Sequence, residues 1–207
     1  LCLCMLASML CFTGCQEKSE PVNRTAFRGL DEDEMFIGGY IGPRPVYRRD
    51  GEVIWRGLED VSVFQDLKDA GLNYIVDELN FAGSTYEYAK KALEFAQEAG
   101  LMYFMPAYDV LKVKGQIMAS DVEIKATLEE MYQYDSFGGL FLKDEPTSDM
   151  FPFIEKSLNK LGEIEEELGY TDLRHFLNLF PQVSPDQLSN GTDSKITWEA
   201  YIRGLSS

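Results

Sequence analysis

The sequence is short of the residues that metal and redox chemistry draws on. It holds one histidine, His175, and four cysteines, all at or before Cys15. A zinc site gathers three or four nitrogen and sulfur ligands, so no His/Cys centre can be assembled from the rest of the chain. A chain that keeps only Cys15 after loss of a leader can form no internal disulfide either. Basic charge is also scarce, with 19 Lys+Arg against 35 Asp+Glu for a net charge of −16. Such a balance repels phosphate backbones and anionic surfaces, which excludes nucleic acid as an expected partner. Gly38, Gly39 and Gly42 do not make the dinucleotide fingerprint, and no helix pattern begins directly after them. No loop of spaced Asp and Asn argues for calcium. No metal and no cofactor are therefore expected.

What is present is apolar material for one core. Of the 207 residues 45% are hydrophobic, including 13 Phe and 11 Tyr, which suits one globular domain better than two. The first charge is Glu17, and the apolar run before it is too short for a permanent bilayer span. It reads as the apolar region of a signal peptide. Phe12-Thr13-Gly14-Cys15 resembles a bacterial lipobox, with Phe12 where Leu is usual. That resemblance implies a leader over residues 1–14 and lipidation at Cys15. It also implies a bacterial cell-envelope address, periplasmic or surface-exposed, with the membrane reached through the anchor; a plain secretory signal is the alternative. Residues 15–34 are polar and weakly patterned, as a tether would be, and residues 35–207 form the folded part. Residue 1 is Leu, and no Lys or Arg precedes the apolar run, so a truncated front is expected.

From residue 35 a rhythm sets in. A strand candidate over 35–41 is followed by alternating residues around Asp50-Gly51, which predicts a small hairpin over 46–55. Asp60 can open a helix with Val63, Phe64, Leu67 and Ala70 on one face. Ser84 with Glu87, and Ser120 with Glu123, have capping-box spacing for two more helices. A fourth carries Ile154, Leu158, Leu161, Ile164 and Leu168. Apolar runs over 73–76, 101–105, 138–142 and 176–181 alternate with these helices, joined at Gly71, Gly100, Gly138 and Gly169. Strand and helix in alternation, with apolar strands, imply parallel pairing under a helix layer. Two α/β architectures fit: the first five units of a (β/α)8 TIM-type barrel, or an open doubly wound parallel sheet. A whole barrel takes about 250 residues, so the back is expected to be clipped too.

The stretch Gly138-Gly139-Leu140-Phe141-Leu142-Lys143-Asp144-Glu145-Pro146 runs from buried-strand residues straight into two carboxylates. In parallel α/β proteins ligands bind where strands emerge, which makes Asp144 and Glu145 candidates. Asp77 and Glu78 close the second strand, Asp109 closes the third, and Asn178 lies in the fifth. Each also has a plainer reading as a helix cap, a loop charge or a buried hydrogen-bonding group. His175 precedes the fifth strand, at the end away from the chemistry, and is expected to be structural.

Residues 36–181 resemble the first half of glycosidase-type (β/α)8 barrels, in particular those on secreted lipoproteins of polysaccharide-degrading gut bacteria. The run Gly139-Leu140-Phe141-Leu142-Lys143-Asp144-Glu145-Pro146 is similar to the Asn-Glu-Pro that ends strand four in a large clan of retaining glycoside hydrolases, and Asn178-Leu179-Phe180-Pro181 supports it at strand five. Asp144 stands where that clan usually carries Asn. The resemblance implies a glycoside hydrolase with Glu145 as general acid/base, a poly- or oligosaccharide as partner, and a nucleophile on a later strand than this chain reaches. Asp144, Asn178, Asp109, Asp77 and Glu78 would then be substrate contacts, and Trp55 and Tyr108 could stack on sugar rings. Since cleavage takes two carboxylates, the chain as written would be inactive. A non-catalytic carbohydrate-binding barrel and an α/β envelope interaction domain stay open beside this reading.

Overall fold

The computed structural model describes residues 28, 35–40, 42–43, 47–55, 58–77, 86–107, 119–180 and 201, with only the backbone course given for 47–49 and 53–55. Strand β1 (Gly38–Tyr40) leads into the hairpin β2 (Tyr47–Arg49) and β3 (Glu52–Trp55). Then follow α1 (Ser62–Asp69), β4 (Tyr74–Val76), α2 (Tyr86–Ala99), β5 (Met102–Pro106), α3 (Asp121–Met131) and β6 (Phe137–Asp144). A 3-10 turn (Ser148–Met150), α4 (Phe151–Leu168) and β7 (Phe176–Asn178) complete the order. The fold is α/β: β1, β4, β5, β6 and β7 form one sheet in that order, every pair parallel. Each new strand joins the edge left by the one before. A doubly wound sheet reverses its order partway; among the described residues the five strands follow one another without a reversal.

The local chemistry accounts for the elements. Asp50 and Gly51 both have positive φ, the requirement of the tight turn that joins β2 to β3. The predicted box at α3 forms: the Glu123 N–H donates to Ser120 Oγ at 3.3 Å and the Ser120 N–H to Glu123 Oε2 at 2.8 Å. Ser84, the other predicted cap, lies outside the described residues. Asp60 accepts from the Ser62 N–H at 2.8 Å, but it stands one residue ahead of the α1 cap, which is Val61 and makes no side-chain cap bond. The inward faces are as the periodicity predicts at Phe64, Ala89, Leu93, Ala96, Ile124, Leu128, Leu161 and Ile164, all buried. Leu158 and Ala70 depart from prediction, Leu158 being 38% exposed and Ala70 exposed because α1 ends at Asp69. Gly138 departs as well. It is no helix-to-strand joint but lies inside β6, because α3 already ends at Met131.

The sheet is curled. A flat sheet would hold β1 and β7, four spacings apart, about 19 Å from each other. Instead the ring of Phe36, just before β1, stacks with that of Phe176 on β7 at 6.0 Å between centroids. Tyr74 and Phe104 complete an aromatic cluster inside the curl, at 5.7 and 4.6 Å from Phe176. This is the filled interior of a partial barrel rather than a pore. Glycine makes the room: a Cβ on Gly38 would fall 2.0 Å from the Tyr74 ring, and one on Gly138 would fall 2.7 Å from Phe104. The opposite face, with Ile75, Tyr103, Met105 and Leu140, packs against the helices.

Arg28 is anchored although it falls in the expected tether. Its guanidinium lies 3.8 Å over the Tyr132 ring, which stacks in turn on Tyr170 at 3.6 Å, and its Nη2 donates to the Tyr132 carbonyl at 2.9 Å. Tyr132 follows α3 and Tyr170 follows α4, so Arg28 sits at the end of the sheet where the strands begin. The rest of the expected tether and the leader lie outside the described residues.

Candidate functional site

Two bulges in β6 aim its end. The first lies between the pairs Tyr103 with Phe137 and Phe104 with Gly139, leaving Gly138 as the extra residue. Gly139 has φ 138°, and a Cβ there would fall 1.6 Å from the Arg174 carbonyl oxygen, so no other residue fits. A side-chain brace holds the distortion. The Leu140 N–H donates to His175 Nδ1 at 3.3 Å, which leaves the ring proton on Nε2, facing Glu165 Oε1 of α4 at 2.7 Å. Glu165 is fully buried, and the imidazole keeps its carboxylate satisfied.

The second bulge sets Leu142 and Lys143 against the single residue Leu177. Beyond it Asp144 pairs with Asn178, and Asn178 Nδ2 donates to Asp144 Oδ1 at 2.7 Å. Glu145 then leaves the strand. Its N–H still donates to the Asn178 carbonyl at 2.8 Å, but its φ is 40°, and its residue is exposed. Simple alternation would send the two carboxylates to opposite faces; the left-handed backbone at Glu145 ends the alternation one residue before Pro146. Among the described residues only Asp50 and Glu145 combine a side chain with positive φ. Asp50 is explained by its hairpin turn. Glu145 belongs to no such turn, and L-residues in this region cost about 1–2 kcal/mol.

Asn178 also lines a cleft of about 460 Å³ with Gly38, Gly39, Tyr40, Tyr74, Phe141 and Phe176, while Asp144 and Glu145 are not among its lining residues. That is within the range of ligand pockets, and the lining is the usual apolar wall with a polar group at one end. Tyr40 is 44% exposed and meets Phe141 edge-on at 5.8 Å. Sequence reasoning did not single out Tyr40, although the spacing of Phe36, Gly38 and Tyr40 puts all three on the inner face. The His175–Glu165 brace was missed for another reason. No spacing rule links a strand bulge to a helix residue ten positions from the histidine.

The structure thus brings together Asp144, Glu145 and Asn178. It separates Asp77 from them: Asp77 is fully buried and accepts a very short hydrogen bond from the Tyr103 hydroxyl on the helix-facing side. The Tyr88 phenol nearby is pushed well above its ordinary pKa, by burial first and by the charge of Asp77 second. Asp77 thus sits with Tyr103 and Tyr88 on the helix-facing side, beneath α2. Glu78, Tyr108, Asp109 and Cys15 lie outside the described residues, as does the side chain of Trp55. Among the described residues no group of three or more His, Cys, Asp and Glu is placed to hold a metal ion, and no helix is long and apolar enough to cross a membrane.

No protein-family model matches the chain, and no curated protein matches it. Among solved structures it is similar to the cellulose synthase subunit Z of Clostridioides difficile, with 17% sequence identity and a TM-score of 0.45. The similarity covers 78% of this chain and 59% of that one, so the chain spans less than two thirds of that protein's length.

Proposed function

We propose that this chain carries the acid/base end of a glycan-cleaving barrel. Glu145 transfers the proton, Asp144 and Asn178 hydrogen-bond the sugar, and Tyr40 offers a stacking face. The observation that carries the proposal is the left-handed backbone of Glu145, at the ligand-binding end of a parallel strand and outside any turn that needs it. Cleavage also takes a second carboxylate, as nucleophile at about 5 Å or as base for water at about 6.5–9.5 Å. The family resemblance assigns that group to a later strand. In the full-length protein, Glu145→Gln lowers glycan cleavage by at least about a hundredfold, while calorimetric glycan affinity stays within about twofold. Unchanged turnover would remove Glu145 from the mechanism.

A second reading, glycan binding without cleavage, is favoured by one contact. The Asp144 carboxylate is already engaged by Asn178 at 2.7 Å, a pair that can present donors and acceptors to a sugar without doing chemistry. Wild-type protein that binds glycan and never cleaves it selects this reading. Lipidation of Cys15 and a cell-envelope address belong to the same proposal, supported by the lipobox-like residues alone. Mass spectrometry of the N-terminal peptide from the membrane fraction tests it, and an unmodified Cys15 there would dismiss the anchor.

A further inference from the structure

One side chain from much later in the chain joins the turns beyond β6 and β7. Tyr201 is fully buried, and its ring packs on Phe151, the first residue of α4, at 4.9 Å between centroids. Its hydroxyl donates to the Pro146 carbonyl at 2.7 Å. Its ring shares one apolar cluster with Phe180. Pro146 follows Glu145 directly, and Phe180 lies two residues beyond Asn178. The two strand ends are therefore tied first by the Glu145 N–H to the Asn178 carbonyl and then through Tyr201, whose hydroxyl holds Pro146 and whose ring packs in the cluster of Phe180.

We propose that Tyr201 is a positioning residue for Glu145: a buried phenol that staples the turns after β6 and β7 and so holds the left-handed backbone between strand and proline. The inference rests on the role given to Glu145 above. A hydroxyl is needed, because a ring without it would leave the Pro146 carbonyl without this donor. Pro146 makes an outside staple necessary, since proline has no N–H with which to extend the ladder toward β7. The phenol also stays a donor. Burial first and the Glu145 charge after it push its pKa up, so it holds its proton throughout the physiological range.

The test is Tyr201→Phe in the full-length protein, which keeps the ring on Phe151 and removes only the oxygen. Amide exchange at Glu145 is expected to speed up about tenfold relative to the amides of α2 and α3. Glycan turnover is expected to fall about tenfold in kcat, with KM within about twofold, because the contacts that bind the sugar are untouched. Unchanged exchange at Glu145 overturns the staple. Faster exchange with unchanged kcat, in a protein that Glu145→Gln inactivates, overturns its positioning role. Should Glu145→Gln leave cleavage intact, it is the catalytic reading that falls, and exchange alone then judges whether Tyr201 holds the turn.

Discussion

The two faces of the one parallel sheet are built on different rules. Facing the helices, Ile75, Tyr103, Met105 and Leu140 are 1% exposed or less and meet Phe64, Leu93, Ile124 and Leu128 in one apolar layer. Here volume is what matters, and many apolar side chains would serve. The inner face pairs aromatic rings with glycines, Tyr74 with Gly38 and Phe104 with Gly138. Here shape is what matters, and an added methyl has nowhere to go. The difference teaches where the fold has latitude. The helix side supplies stability, while the inner side and its bulges fix the direction in which the strand ends point.

That contrast can be broken, and the sharpest attempt is Gly139→Ala. A Cβ 1.6 Å from the Arg174 carbonyl cannot be relieved by a rotamer change, and φ 138° is closed to L-residues. The variant should lose about 4 kcal/mol or more in urea unfolding, or fail to fold. Leu128→Ala removes a fully buried side chain from the helix layer and should cost about 2–5 kcal/mol, the lower end if the layer collapses around the gap. If Gly139→Ala turns out milder than Leu128→Ala, the rigid inner face is a fiction. The smallest effect is the most telling. Glu145→Gly should leave urea-unfolding stability unchanged or raise it by up to about 1 kcal/mol, since glycine accepts φ 40° without the penalty an L-residue pays. A loss above about 1 kcal/mol would mean that Glu145 serves the fold rather than the site.

Much of the helix layer was legible in the sequence. The 3.6-residue spacing of Ala89, Leu93 and Ala96, the Ser120–Glu123 box and the Asp50-Gly51 turn each carry a local signal, and each element formed. The alternation of strand and helix left two architectures open, and the sequential order and curl of the described strands suit a partial barrel. The bulges were not legible. Leu140, Phe141 and Leu142 are apolar on both faces, so a shift of one residue leaves no trace in the pattern. Glu145 and Asp144 could be picked out by their place at the end of an apolar run. The backbone strain at one and the Asn178 contact of the other depend on β7, some 30 residues on, and follow from no local rule. Arg28 carries no local signal, because its partners, Tyr132 and Asp172, come together only through the fold.

The strand order also bears on how the chain reaches this structure. Gly38 pairs with Tyr74, Tyr74 with Met102, Phe104 with Gly139 and Phe141 with Phe176. Each pairing closes a loop of about 30 residues, so every strand finds its template already made by the segment just before it. The contact of Phe36 with Phe176 closes about 140 residues, which adds roughly 1.4 kcal/mol of chain entropy if it is made first and far less once the intervening strands are in place. Assembly can thus follow the direction of synthesis, one unit at a time, with the curl that forms the cleft arriving last.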